Sequence, residues 1–184
     1  PARNLGVRTV LDGPFGYLGF LDSDVLPLPN LFVKLMETGL DVVSGLYYQR
    51  FPPFLPVMFN EGQGAEGQSV RLPVLGWTPG DVVPCRFVPG GALLIKRRVL
   101  EVMVQHFPRP FEWGLAIAPI PDGRGGSLKT FSEDFTFSSR AQDLGFRVGV
   151  HTGMVCLHET LAVVGPKGIF PPPAPEPLLG LCGV

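Results

Sequence analysis

Apolar residues fall in short blocks along the chain, and the blocks alternate between two periods. Tyr17-Leu-Gly-Phe-Leu-Asp22 is apolar up to its last residue and is bounded by Gly13-Pro14 and Pro27. A run that is apolar on both faces predicts a central strand of a sheet covered on two sides, the habit of parallel strands in α/β proteins. Leu31, Phe32, Leu35 and Met36 follow at helical spacing and stop at Gly39, which predicts a helix. Asp41-Val-Val-Ser-Gly-Leu-Tyr-Tyr48 reads as the next strand, and strand, helix, strand make a βαβ unit. Further on, Ala92-Leu-Leu-Ile95 predicts a strand, and a helix over 96–106 turns Val99, Leu100 and Met103 inward. Another helix is expected from a Ser132 cap to Leu144, with Gly145 as its stop. Phe146-Arg-Val-Gly-Val150 and Met154-Val-Cys-Leu-His158 complete the set as two more strands.

The gaps between these blocks hold most of an unusual composition. Twenty-four glycines and 21 prolines make up about a quarter of 184 residues, against roughly 12% in ordinary chains. They concentrate in residues 51–83 and 108–126 and in Pro171-Pro-Pro-Ala-Pro-Glu-Pro177. Loops of that length inside a domain are usually functional or mobile. The polyproline stretch cannot join a sheet. The expected organisation is one domain over 1–165 and a proline-rich linker or disordered tail over 166–184.

Charge narrows the function more by exclusion. Fifteen basic and 16 acidic side chains give a net charge of −1, without the cationic excess of a nucleic-acid-binding module. Apolar stretches such as Gly91-Ala-Leu-Leu-Ile95 fall far short of the roughly 18 residues of a membrane span. Three scattered cysteines do not make a disulfide framework, so a reducing, cytoplasmic setting is expected.

Three constellations carry candidate chemistry. Asp22 and Asp24 sit at the carboxyl end of the first apolar strand, where open α/β sheets bind ligands. Two carboxylates there can share a hard cation such as Mg²⁺ or Mn²⁺ that leaves positions open for a diphosphate, or they are an Asp-rich turn. Glu133 and Asp134 occupy the first turn of a helix. They either answer the helix dipole or aim a general base at an acceptor hydroxyl. His158 ends a strand as a satisfied polar residue or as a third metal ligand.

Taken in order, these blocks resemble a known family. Asp22-Ser-Asp24, Val42-Val-Ser-Gly-Leu-Tyr47, Gly90-Gly-Ala-Leu-Leu-Ile-Lys-Arg97, Ser132-Glu-Asp134 with Arg140 and Gly145-Phe146, and His158 are similar to the GT-A glycosyltransferases of the family-two type. The resemblance spans roughly residues 3–160. It implies an α/β, GT-A-like (Rossmann-like) mixed and mostly parallel sheet flanked by helices. It implies transfer of a sugar from a nucleoside-diphosphate sugar to a hydroxyl of a saccharide, lipid or protein acceptor. Asp22 and Asp24 would bind the donor and Mn²⁺ or Mg²⁺, His158 would complete the metal site, and Gly90 and Gly91 would lie along the donor sugar. Asp134 would be the base of an inverting reaction, with Glu133 in support.

Family members begin with strands that hold the nucleoside. Ala2-Arg-Asn-Leu-Gly6 resembles the helix just before the Asp-x-Asp strand, so the chain is expected to be N-terminally truncated. Such a sheet would expose an apolar edge prone to self-association, and a peripheral position at the inner membrane face is compatible with this reading. A nucleotidyltransferase-like enzyme and a non-catalytic fragment that binds a saccharide or a partner are the alternatives.

Overall fold

The computed structural model describes residues 2–50, 52–64, 69–119, 126–159, 163–165 and 168–170. Helix α1 (Ala2–Asp12) leads into strand β1 (Tyr17–Leu21), the short β2 (Val25–Leu26), helix α2 (Leu31–Glu37) and strand β3 (Val42–Leu46). A hairpin of β4 (Phe59–Gln63) and β5 (Ser69–Pro73) precedes β6 (Val82–Pro84), β7 (Ala92–Lys96) and helix α3 (Arg97–His106). A second hairpin, β8 (Gly114–Pro119) and β9 (Gly126–Phe131), runs into helix α4 (Glu133–Asp143). Strands β10 (Val148–Val155), β11 (Leu157–His158), β12 (Val163–Gly165) and β13 (Gly168–Phe170) follow.

The main sheet has the order β1-β7-β3-β10-β6. Its pairing of β3 with β10 is parallel; β1 with β7, β7 with β3, and β10 with β6 are antiparallel. The sheet is therefore mixed rather than mostly parallel. β1, α2 and β3 do form a crossover with both strands running the same way, but β7 returns later in the chain and inserts between them. That insertion also corrects the expected position of Tyr17–Leu21. It lies at the sheet's border and pairs only with β7 among the described residues, with Tyr17 and Leu21 exposed.

The central strands are β3 and β7, and the period of two assigns their side chains to two cores. Val42 and Leu46 join Leu93 and Ile95 on one face, beneath Val7 and Val10 of α1, Val99, Leu100 and Met103 of α3, and Phe137 and Ala141 of α4. Val43 and Tyr47 join Ala92 and Leu94 on the other face, under Leu31 and Leu35 of α2. Strands apolar on both faces are thus explained by three layers, three helices on one side and one on the other.

Gly39 and Gly145 stop α2 and α4 as the sequence suggests, with φ of +68° and +84°. Elsewhere the boundaries move. Lys96 ends β7 instead of opening α3, and residues 148–155 form one irregular strand, its pairing with β3 shifting register between His151 and Val155. The two Gly/Pro-rich stretches contain the hairpins β4–β5 and β8–β9. The first hides from periodicity because both of its faces are largely solvated. Beyond His158 the chain continues in a second sheet, β13-β12-β11-β2, so strand pairing passes the boundary expected at 165. The polyproline stretch lies outside the described residues. No helix among the described residues is long and apolar enough to cross a membrane.

Candidate functional site

Strand register builds the site at one end of the main sheet. Leu21 pairs with Ala92, so the next residue, Asp22, falls opposite Gly91, and its N–H donates to the Gly91 carbonyl at 2.8 Å. The chain then turns, with Val25 N–H donating to the Asp22 carbonyl at 3.1 Å. Pairing of β2 with β11 sets Val25 beside His158, and Glu159 N–H donates to the Asp24 carbonyl at 2.7 Å. The aspartates and His158 therefore belong to one neighbourhood through backbone pairing.

Gly90 and Gly91 enter from the segment before β7. Gly90 N–H donates to Asp134 Oδ2 at 2.9 Å, and Gly91 N–H donates to the Tyr47 hydroxyl at 2.8 Å. A Cβ on Gly90 would lie 2.4 Å from Arg3 Nη1 and 2.9 Å from Asp134 Cβ. One on Gly91 would lie 2.9 Å from the Tyr47 oxygen. The glycines are required by close approach of protein atoms, a reason independent of any donor sugar.

Arg3, on α1, is the hub that the sequence reading missed. Its Nη2 donates to both Asp22 carboxylate oxygens at 3.0 and 3.1 Å, its Nη1 donates to the Gly90 carbonyl at 2.7 Å, and its Nε lies 3.4 Å from Glu133 Oε1. The guanidinium also sits 5.1 Å over the Phe20 ring, and the side chain is only 17% exposed. A fork of five donors suits this many acceptors at once, which a lysine could not match. A clue was present in sequence: an arginine one turn before buried Val7, on a helix leading directly into the Asp-x-Asp strand.

Asp134 is held from three sides. Oδ1 accepts from the Ser132 hydroxyl and from Phe135 N–H (2.8 Å), and Oδ2 accepts from Gly90 N–H. Ser132 thus orients a carboxylate and makes no side-chain hydrogen bond as a helix cap, a correction to its expected role. With one bond against two, Oδ2 is the oxygen with the freer lone pair. The β4–β5 hairpin flanks this helix start, with Arg71 5.3 Å over the Phe135 ring.

Around His158 stand aromatic rings, the Arg50 cation and the two aspartates. Tyr47 packs edge-on against the His158 ring at 4.6 Å, and His158 Nδ1 lies 3.0 Å from the Tyr48 carbonyl. Burial lowers the His158 pKa, with Arg50 reinforcing it and the Tyr48 carbonyl, Asp24 and Asp22 opposing, which favours the neutral ring. Donation from Nδ1 to that carbonyl leaves Nε2 as the acceptor nitrogen, the form a metal-binding imidazole takes. Burial raises the Tyr47 pKa, with Asp134 and Asp22 adding to it, so its phenol keeps its proton. Asp24 pairs with Arg50.

Two carboxylates and a neutral imidazole fit a divalent cation by donor type. As they stand, no three His, Cys, Asp or Glu side chains among the described residues converge on a common metal position; Arg3 and Arg50 hold the two aspartates instead. Of the tryptophans, Trp77 packs against the core, whereas Trp113 is 65% exposed. Trp113 lines a cavity of about 890 Å³ that also meets Arg3, Arg8, Arg109 and Glu133.

No protein-family model matches the chain, and no curated protein matches it. Among solved structures it is similar to A197 from STIV, at 19% identity and a TM-score of 0.57, over 96% of this chain and 77% of that one. The likeness is one of fold, between two very different sequences.

Proposed function

We propose that this chain carries the site of a metal-dependent glycosyltransferase that moves a sugar from a nucleoside-diphosphate sugar to an acceptor hydroxyl, with inversion. The observation that carries the reading is the convergence of Asp22, Glu133 and the Gly90 carbonyl, from separate segments, on the Arg3 guanidinium, with Asp134 bound to the Gly90 N–H beside it. A purely structural ion pair needs one acid; here the acids come from a strand end and a helix start and meet beside an open cavity lined by Arg3 and Glu133.

A divalent cation held by Asp22, Asp24 and His158 would supply neutralisation of the departing diphosphate. The chain's own residues do the rest. Asp134, with Oδ2 facing Gly90 N–H and Oδ1 fixed by Ser132, accepts the acceptor's hydroxyl proton as that oxygen attacks the anomeric carbon. Glu133, paired with Arg3, is withdrawn from that task and positions the arginine. Tyr47 braces the Gly91 backbone through its hydroxyl.

Thermal-shift titration with UDP, GDP, CDP and dTDP in Mn²⁺ tests the reading first. A rise in Tm with one of them supports it, and no shift with any of them overturns it. Asp134→Asn should then lower turnover by about 10²-fold or more while keeping the Mn²⁺-dependent shift. Unchanged turnover in that variant would remove Asp134 as the base.

A further inference from the structure

The two borders of the main sheet are finished differently. One is β6, which is 3 residues long, follows Asp81 and ends in Pro84. A short strand, a charge and a proline are among the devices that keep a sheet edge from pairing with another chain. The other border is β1, Tyr17-Leu-Gly-Phe-Leu21, with no charge, no proline and no break in its pairing with β7. Its parity is fixed at both ends: the Gly16 carbonyl accepts from Arg97 N–H, and Asp22 N–H donates to the Gly91 carbonyl. Leu18 and Phe20 therefore also turn their peptide groups to β7, and Tyr17, Gly19 and Leu21 turn theirs outward. Among the described residues no strand pairs with that side. Tyr17 is 39% exposed and Leu21 46%, on the face where a Cβ on Gly19 would lie 3.1 Å from Phe32 of α2. Met36, one turn on from Phe32, is also exposed and extends that apolar surface along the helix.

We propose that β1 is the docking edge for a second copy of this chain, the two β1 strands running antiparallel about a two-fold axis at Gly19. The edge complements itself in that register. Gly19 faces the partner's Gly19, Tyr17 faces the partner's Leu21, and each pair exchanges two hydrogen bonds. At both ends an exposed aromatic covers an exposed aliphatic, a cross-strand pair of the kind that stabilises sheets. Charge selects the direction. Antiparallel strands carry the two Asp22 carboxylates to opposite ends, whereas parallel ones would set them side by side in repulsion. A net charge of −1 leaves little repulsion between whole copies. The partner's Gly16 falls opposite Asp22, so the second chain borders the candidate site with no side chain at that position.

The test is sedimentation velocity of the full chain over a dilution series up to about 0.1 mM, with hydrogen exchange followed residue by residue along β1. Wild type should pass from monomer to dimer as concentration rises. The amides of Tyr17, Gly19 and Leu21 should slow with it, while those of Leu18 and Phe20 are protected throughout. Leu21→Lys, at an exposed position, should weaken the dimer by about tenfold or more, and so should Tyr17→Glu. The double variant Tyr17→Glu with Leu21→Lys should return to within about threefold of wild type, because each introduced acid then faces an introduced base on the partner. Rescue of this kind belongs to this register; a dimer through another surface gives none. A wild-type chain that stays monomeric to about 0.1 mM overturns the proposal. So does a dimer that leaves the outward amides fast or is unchanged by both single variants. A double variant no better than the single ones overturns the antiparallel register.

Discussion

Gly90 concentrates the logic of the site in one residue without a side chain. Its N–H fixes Asp134, its carbonyl receives Arg3, and its missing Cβ leaves room for both. Replacing it by alanine sets a methyl 2.4 Å from Arg3 Nη1 and 2.9 Å from Asp134 Cβ. The arginine end can move, but only by leaving Asp22. Gly90→Ala should therefore cost about 1–3 kcal/mol in urea unfolding. It should also weaken Mn²⁺-dependent nucleotide binding more than an equally destabilising change in the core. The acids of this site were legible in sequence because Asp-x-Asp and Glu-Asp carry their spacing in the chain. Arg3, Tyr47 and Arg50 were not, because what marks them is whom they meet across the fold.

At the scale of elements, helices and central strands obey their patterns, and hairpins do not. The runs at 42–46 and 92–96 are apolar at consecutive positions because layers cover both faces. The same reasoning misplaced β1, since an apolar run does not say which strand will lie beside it. Strand order is decided by packing between distant segments, and no period encodes it. Helix ends were readable because glycine does what no other residue does at positive φ. Gly145 has φ +84°, and a Cβ added there would have no neighbour within 4 Å, so a substitution meets backbone strain without a clash. Gly145→Ala should lower stability by about 1–2 kcal/mol, seen as a lower Tm with nucleotide binding intact.

For the whole molecule, the end of the sheet opposite the candidate site is held by a buried acid. Asp41 precedes β3 and gathers Lys96 (3.3 Å), Arg98 and the backbone N–H of Arg147 (3.0 Å). Burial alone would raise its pKa; the hydrogen bonds from Arg147, Arg98 and Lys96 outweigh burial and hold it below the ordinary carboxylate range. A carboxyl whose folded pKa is depressed contributes stability that is present above its unfolded pKa, about 3.9. That stability is lost as pH falls through the lower folded value. Asp41→Asn should thus cost about 2 kcal/mol at pH 7 and shrink the difference in Tm between pH 7 and pH 3. An unchanged acid profile would assign the pH dependence elsewhere.

The late return of β7 has a consequence for how the chain becomes a protein. β1 and β3 are made early, yet each finds this shared partner only when residues 92–96 arrive. Closing that gap demands loop-closure entropy before any ladder rewards it. The N-terminal third therefore has no sheet of its own to fold into. Hydrogen exchange should find β1, β3 and β7 opening as one cooperative unit, which ties the birth of the site to the completion of the fold.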